Sequence, residues 1–222
     1  MASTLPNAVC PFDPVCPSHI WRERADPARL FRVIGADFDR VLADAQAGDE
    51  HAFARLWRDL NPALLRYLSL GGELAEEVAA ETWTTVVRGL KRFTGDETAW
   101  RAWVFTTARR RAIDAGRKRA REAGLGWRAS TWASETAPDS ADVVMEAAST
   151  EDALRLVRTL PSSQSEVVLL RVVAGLPVAE VAELLGRSPG AVRVACHRGL
   201  ENLARILSRH DVTESDLRSL RG

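Results

Sequence analysis

Apolar residues recur at intervals of three and four along most of the chain from residue 36 onward, and few segments alternate as strands do. This spacing lines one face of a helix with apolar side chains, so the pattern predicts an all-α protein. The first predicted helix carries the apolar residues Phe38, Val41, Leu42 and Ala45. The second carries Phe53, Leu56, Trp57, Leu60, Leu64 and Leu68. Asp49 is a suitable N-cap for the second helix, and Pro62 inside it predicts a kink.

Two further helices are predicted in the first half of the chain, from about Glu73 to Lys91 and from about Thr98 to Glu122. Composition then changes, because residues 124–150 are rich in Gly, Ser, Thr and Ala and carry four acids against a single arginine. A segment of this kind is typical of a flexible linker between domains. It also contains Trp127 and Trp132, which are unusual in a spacer.

The last third of the chain predicts a helix-turn-helix unit. Ser162 or Ser163 can cap the start of one helix, and Glu166 would complete a capping box from Ser163. Within residues 177–207, a short helix, a turn at 186–188 and a longer helix follow in order. Ser188 is the predicted N-cap of the longer helix, and Pro189 takes its first position, where a proline costs no hydrogen bond.

The pattern as a whole divides the chain into five segments. They are an extension at 1–35, a helical domain at 36–123, a linker at 124–150, the helix-turn-helix domain at 151–210 and a C-terminal tail at 211–222. The extension contains four prolines between positions 6 and 17 and is predicted to be disordered. The predicted fold is therefore all-α, with two small helical domains joined by a flexible acidic linker.

Overall composition adds few constraints on function. The 222 residues balance 30 basic against 30 acidic side chains, so only the distribution of charge is informative. No apolar run is long enough to predict a membrane span. Residues 1–20 lack the basic and apolar regions of a signal peptide, so we expect a cytoplasmic protein.

The positions of cysteine and histidine predict neither a metal site nor catalysis. Cys10, Cys16 and His19 lie close together in sequence, but a zinc site needs a fourth ligand and no neighbour is an obvious one. The sequence also shows no Ser/His/Asp or Cys/His arrangement and no Gly-rich phosphate loop. We therefore expect no metal, no cofactor and no enzymatic activity.

The fourth predicted helix combines aromatic with basic residues. Residues 101–121 hold eight basic side chains and one acid, and Trp100, Trp103 and Phe105 stand at the start of this run. Aromatic rings beside cations suit exposed bases together with phosphates. The alternative is a solvated charged face over a core that includes at least one of Trp100 and Trp103.

Two other predicted helices concentrate charge on one side. The acidic face of the third helix consists of Glu73, Glu76, Glu77 and Glu81. It would repel nucleic acid and suit a basic protein partner, unless it only keeps the protein soluble. The polar face of the last helix and its preceding turn include Arg187, Arg193, His197 and Arg198. These suit base edges and phosphates in a major groove, and the alternative is a helical hairpin with solvated arginines.

Taken together, these segments resemble a known family. Residues 53–122 resemble region two of the extracytoplasmic-function sigma factors, and residues 160–203 resemble their region four. The region-two motifs are ALLRYL at 63–68, AEEVAAETW at 75–83, WRAWVFTTAR at 100–109 and ID at 113–114. The region-four motifs are LP at 160–161, EV at 166–167, LR at 170–171, GL at 175–176, EVA at 180–182, LG at 185–186, SPGAVR at 188–193 and HRGL at 197–200.

The resemblance implies a sigma factor that binds core RNA polymerase and directs it to promoters. It implies that the β′ clamp helices bind Glu76, Glu77, Glu81, Thr82 and Trp83. It implies that the melted minus-ten element, with one base flipped from the stack, is held by Lys91, Arg92, Phe93, Thr94, Asp96, Trp100, Arg101, Trp103, Arg109, Arg110 and Arg117. It implies that the duplex minus-thirty-five element is read by Arg187, Ser188, Arg193, His197 and Arg198. The resemblance also implies that region four touches the β flap of the polymerase and that the acidic linker threads near its active-site and RNA-exit channels. An anti-sigma factor is an additional candidate partner.

The chain also departs from the family pattern at four positions. Leu74 and Ala80 stand where members often carry an acid and a glutamine. Val194 and Ala195 stand where many carry Ser-Arg, so one phosphate or base contact is expected to be missing. The runner-up interpretation is a duplex-binding regulator whose N-terminal domain senses a ligand or dimerises. Such a repressor has no use for the aromatic and basic surface of the fourth helix.

Overall fold

The computed structural model of the protein describes residues 34–72, 74–124 and 150–219, and in the last range the side chains of 152–208. The predictions for the N-terminal extension, with Cys10, Cys16 and His19, lie outside these residues. The same holds for most of the linker, with Trp127 and Trp132.

Helices account for nearly all of the described chain. They are α1 (Phe38–Ala47), α2 (Glu50–Leu68), α3 (Ala75–Leu90), α4 (Glu97–Glu122), α5 (Thr150–Arg158), α6 (Ser162–Val168), α7 (Val178–Leu185) and α8 (Pro189–Ser219). Short 3-10 turns at Gly35–Asp37 and Ser69–Gly71 precede α1 and follow α2, and a π-helical stretch at Leu169–Val173 follows α6. No strand occurs in these described ranges, in agreement with the predicted all-α class.

Side-chain caps fix where several helices begin. Asp49 accepts hydrogen bonds from the backbone N–H groups of His51 (2.7 Å) and Ala52 (3.1 Å), which confirms the predicted N-cap of α2. The Oγ atom of Ser188 accepts a hydrogen bond from the backbone N–H of Ala191 (3.2 Å), so the predicted cap of α8 is also confirmed. Pro62 lies inside α2, which continues past it to Leu68.

The predicted capping box at the start of α6 is wrong. Pro161 is the N-cap residue of α6, and no side chain caps this end. The Glu166 carboxylate accepts hydrogen bonds from Tyr67 and Arg109 instead of from the start of its own helix. Glu166 therefore makes long-range hydrogen bonds to Tyr67 and Arg109 in place of the predicted local capping contact.

Helices α1 to α4 form a bundle in which α2 contacts the other three. Its largest fully buried side chains are Trp100, Tyr67, Phe105, Leu56, Leu60 and Leu64. Trp100 is 1% exposed, which confirms the prediction that at least one of the two tryptophans of α4 is a core residue. Burial of such large rings supplies much of the apolar free energy of a small bundle.

The second half packs α6, α7 and α8 around a core of Val167, Leu169, Leu170, Leu176, Val181 and Val192. Gly186 ends α7 with a left-handed φ of 64°, which turns the chain into α8 and completes the helix-turn-helix unit. At Gly199 a Cβ atom would lie 2.7 Å from Val168 Cγ2, so glycine permits the close approach of α8 to α6. Helix α8 continues to Ser219, into the segment where a tail was predicted.

The two halves share one apolar core, which the sequence pattern did not predict. Buried residues form one connected cluster from Phe38 in α1 to Val192 in α8. Helix α2 contacts the π-helical stretch, and α4 contacts α7. A buried hydrogen bond of 3.1 Å joins the Tyr67 hydroxyl to the Glu166 carboxylate across this junction. The charged surfaces of the two halves are therefore parts of one packed body.

Candidate nucleic-acid interface

The residues predicted to read duplex DNA lie together at the start of α8. Arg187, Ser188, Arg193 and Arg198 are exposed, and His197 is half-buried. Arg187 donates to the backbone carbonyl of Ser163 (3.2 Å), which holds its guanidinium beside the turn. His197 Nε2 lies 3.5 Å from Glu201 Oε1, an ion pair that forms only when the imidazole is protonated. The N-terminal end of α8 is thus a basic, solvent-facing surface of the kind that enters a major groove.

The loop between α3 and α4 is held in place by aromatic stacking. Lys91, Arg92, Thr94 and Asp96 are exposed there. The ring of Phe93 stacks on Trp103 with centroids 5.1 Å apart and planes 15° apart, and it meets Trp100 edge-on at 5.4 Å. Asp96 caps α4 by accepting a hydrogen bond from the N–H of Ala99 (2.8 Å).

Two contacts outside the predicted set also fix this loop. Gln46 Nε2 in α1 donates to the backbone carbonyls of Leu90 (2.9 Å) and Phe93 (2.8 Å). At Gly89 a Cβ atom would lie 2.8 Å from Trp103 Cζ2, so glycine lets the indole lie against α3. Sequence reasoning missed both residues, since a lone polar residue in an amphipathic helix gives no signal of what it contacts.

The basic run of α4 divides into buried and exposed members. Arg101 has only 8% of its side chain exposed and pairs with Asp59 (2.6 Å) and Glu97 (3.4 Å). Its Nη1 atom also donates to a backbone carbonyl of the second half, that of residue 174 (3.4 Å). Arg109 Nε pairs with Glu166 (2.9 Å). Arg110 and Arg117, by contrast, are exposed. Arg117 Nη1 lies 3.8 Å from Asp114 Oδ1, and a phosphate can replace a solvent-exposed ion pair of this kind at little cost.

The acidic face predicted for the third helix lies on α3. Glu76, Glu77 and Glu81 are exposed, while Glu73 lies outside the described residues. Thr82 and Trp83 are buried beneath this face. The Thr82 hydroxyl donates to the carbonyl of residue 78 (2.7 Å), and the Trp83 indole N–H donates to the side chain of residue 61 (2.9 Å). These two residues support the helix from its inner side, whereas the three glutamates are available to a partner.

The junction between the halves contains a tyrosine whose pKa is shifted by its surroundings. Burial, followed by the nearby Glu166 carboxylate, raises the pKa of Tyr67 well above its ordinary value, and the positive charge of Arg109 opposes this only in part. Tyr67 is therefore a neutral hydrogen-bond donor at physiological pH. Its role is structural, because no solvent reaches the ring.

Two classes of site are not found in the described part of the chain. No group of three or more His, Cys, Asp or Glu side chains converges there as a metal ion would need. Helices in the described ranges also fall short of the length and apolar content that a bilayer crossing demands.

Known proteins share both halves of this arrangement. Residues 53–122 match the family model of Sigma-70 region 2, and residues 150–203 match that of Sigma-70, region 4. The chain is 31% identical over 180 residues to the ECF RNA polymerase sigma factor SigD of Mycobacterium tuberculosis, covering 76% of this chain and 83% of that protein. It is 34% identical over 182 residues to the ECF RNA polymerase sigma factor ShbA of Streptomyces griseus, covering 77% and 93%. The fold is similar to that of the sigma factor RpoE of Bartonella quintana, which was solved in complex with the anti-sigma factor NepR. The TM-score is 0.53 at 20% sequence identity, and the match covers 70% of this chain and 96% of that one.

Proposed function

We infer the role of each surface from one premise, that the chain belongs to the extracytoplasmic-function (ECF) family of RNA polymerase sigma factors. It is a transcription initiation factor and not an enzyme, and it acts by binding core RNA polymerase and promoter DNA. What remains to be assigned is which residues meet the polymerase and which meet each promoter element.

The start of α8 is the proposed reader of the duplex minus-thirty-five element. The observation that carries this proposal is the exposed basic surface formed by Arg187, Arg193 and Arg198 at the N-terminal end of the second helix of a helix-turn-helix. Recognition helices of this kind insert that end into the major groove. Ser188 is partly occupied as the cap of α8, and His197 lies at the edge of the surface.

The loop at 91–96 and the outer side of α4 form the proposed minus-ten surface. Phe93 and Trp103 stack on each other, and the exposed Arg110 and Arg117 supply positive charge for the backbone of a single strand. Trp100 supports this stack from the core. Arg101 and Arg109 reach DNA in this proposal only by exchanging their carboxylate partners for phosphates.

The acidic face of α3 is the proposed contact with the β′ clamp helices. Glu76, Glu77 and Glu81 are exposed on consecutive turns, and Val87 continues the same side of the helix with half of its side chain exposed. The negative charge of this face repels a phosphate backbone, so the face suits a basic protein partner better than a nucleic acid. We further propose that region four touches the β flap, that the factor works in the cytoplasm with the polymerase, and that an anti-sigma factor binds it as NepR binds its relative.

A reconstituted transcription assay tests the initiation role. Core polymerase is given genomic promoter fragments with and without the protein, and transcript ends are mapped. Specific starts that depend on the protein and share two upstream motifs are expected. Duplex binding without specific starts would support the alternative of a helix-turn-helix regulator.

Matched charge reversals test the polymerase contact. Glu77→Lys and Glu81→Lys are expected to weaken binding to core polymerase, because each reverses an exposed charge on α3. Asp44→Lys reverses an exposed charge on α1 and serves as the control, with binding unchanged. Equal binding by all three variants would rule out the α3 face as the clamp contact.

A further inference from the structure

The basic surface at the start of α8 has an apolar centre. Val194 is 49% exposed and is one of three large hydrophobic residues within the described ranges that are exposed rather than buried or partly buried. At 3.6 residues per turn, Ala191 and Arg198 lie one turn to either side of it on the same stripe. Arg193 stands next to it in the sequence and is also exposed. Val194 therefore gives this basic surface one exposed apolar group, which can make van der Waals contact but cannot donate or accept a hydrogen bond.

The chemistry of this patch fits the floor of a major groove. The neighbouring Arg193 and Arg198 suit the phosphates that line a groove, and their positive charge disfavours a basic protein partner. Of the four bases, thymine alone presents an apolar group in the major groove, its C5-methyl. Valine has no hydrogen-bonding atoms, so it can recognise only such a group.

The backbone of α8 can approach the groove closely enough for a short side chain to reach the bases. Gly190 lies one turn before Val194, and a Cβ atom added to it would meet nothing within 4 Å. Ala191 is exposed and carries only a methyl group. Along the side of α8 that holds Gly190, Ala191 and Val194, no bulky side chain therefore keeps the helix away from the groove floor.

We propose that Val194 is a specificity-determining residue that packs on the C5-methyl group of a thymine in the duplex promoter element. This rests on the proposed reading of duplex DNA by α8. Cytosine at that position lacks the methyl group, and the packing would also distinguish thymine from uracil.

Thymine-to-uracil substitution in the promoter tests the contact directly. The assembled holoenzyme is bound to duplexes in which single thymines of the minus-thirty-five element are replaced by deoxyuridine, which removes one methyl group and keeps base pairing. Wild-type protein is expected to lose about fourfold in affinity at one position, as for burial of one methyl group. With Val194→Ala the same substitution should have no effect.

A matched variant separates this contact from general effects of the base change. Trp57 on α2 is 40% exposed and belongs to none of the proposed interfaces, so Trp57→Leu shortens an exposed apolar side chain far from α8 in sequence and should keep the full uracil sensitivity. Ala is a better helix former than Val, so the Val194→Ala variant is expected to fold. Unchanged affinity at every uracil position, or equal sensitivity in Val194→Ala, overturns the proposal. Loss of protein-dependent transcription starts would instead refute the proposed function.

Discussion

Replacing Glu166 tests the buried polar contact that joins the two halves of the protein. Glu166 Oε1 accepts hydrogen bonds from the Tyr67 hydroxyl (3.1 Å) and from Arg109 Nε (2.9 Å). Glu166→Ala removes this acceptor from a fully buried hydroxyl, which costs about 1–3 kcal/mol. Arg109 is 25% exposed, so water can solvate it in part and its loss adds at most about 1 kcal/mol. The expected decrease in the free energy of unfolding is therefore about 1–4 kcal/mol.

Glu166→Gln separates the acceptor from its charge. The amide oxygen of glutamine still accepts from Tyr67, and only the charge that faces Arg109 is lost. We expect this variant to lose about 1 kcal/mol, less than Glu166→Ala. The comparison therefore divides the cost between the hydroxyl and the guanidinium.

Urea unfolding at neutral pH, followed by tryptophan fluorescence and circular dichroism, measures these differences. Glu183→Ala removes an exposed carboxylate from α7 and is the control, with an expected change within about 0.5 kcal/mol. The reasoning is refuted if Glu166→Ala is as stable as this control. It is also refuted if glutamine and alanine at position 166 destabilise equally, because the hydroxyl would then gain nothing from the acceptor.

For three further changes, the structure predicts whether stability or DNA binding rises or falls. Because folding raises the pKa of Tyr67, the unfolded chain loses this phenolic proton at a lower pH than the folded protein does. The free energy of unfolding that Tyr67 contributes is therefore present below about pH 10 and is lost as pH rises through the higher pKa of the folded state. Thermal melts between pH 8 and pH 11 should show this decline in the wild type and a flatter profile in Tyr67→Phe. Gly199→Ala places a Cβ atom 2.7 Å from a buried valine methyl, so overpacking should lower the free energy of unfolding by about 1–3 kcal/mol and lower the melting temperature. Gly190→Ala adds a Cβ atom with nothing within 4 Å and should raise the melting temperature, because alanine is the better helix former. Equal shifts in the two variants would contradict the close packing of α8 on α6. Arg193→Ala with Arg198→Ala should flatten the salt dependence of promoter binding by roughly one counterion per lost phosphate contact, and an unchanged slope in a salt titration would exclude both residues as phosphate contacts.

The sequence by itself determined the helices, several of their caps and the helix-turn-helix. These depend on residues three or four positions apart, such as Asp49 with the N–H groups of the next turn, so the local pattern contains all the necessary information. Exposure of the charged surfaces was predictable for the same reason. Glu76, Glu77 and Glu81 are exposed on α3, and Arg193 and Arg198 are exposed on α8.

Only the tertiary structure decided which polar residues of these helices are buried. Arg101 meets Asp59 from 42 residues away, and Tyr67 meets Glu166 from 99 residues away. Helical periodicity indicates that a residue lies on one face but not which helix covers that face. Glu166 shows the consequence, because its spacing from Ser163 predicted a local capping box, yet a buried hydroxyl and a guanidinium on other helices compete better for its carboxylate. A charge near the core is stabilised by whichever partners folding brings within hydrogen-bond distance, and the three-dimensional packing alone determines those partners.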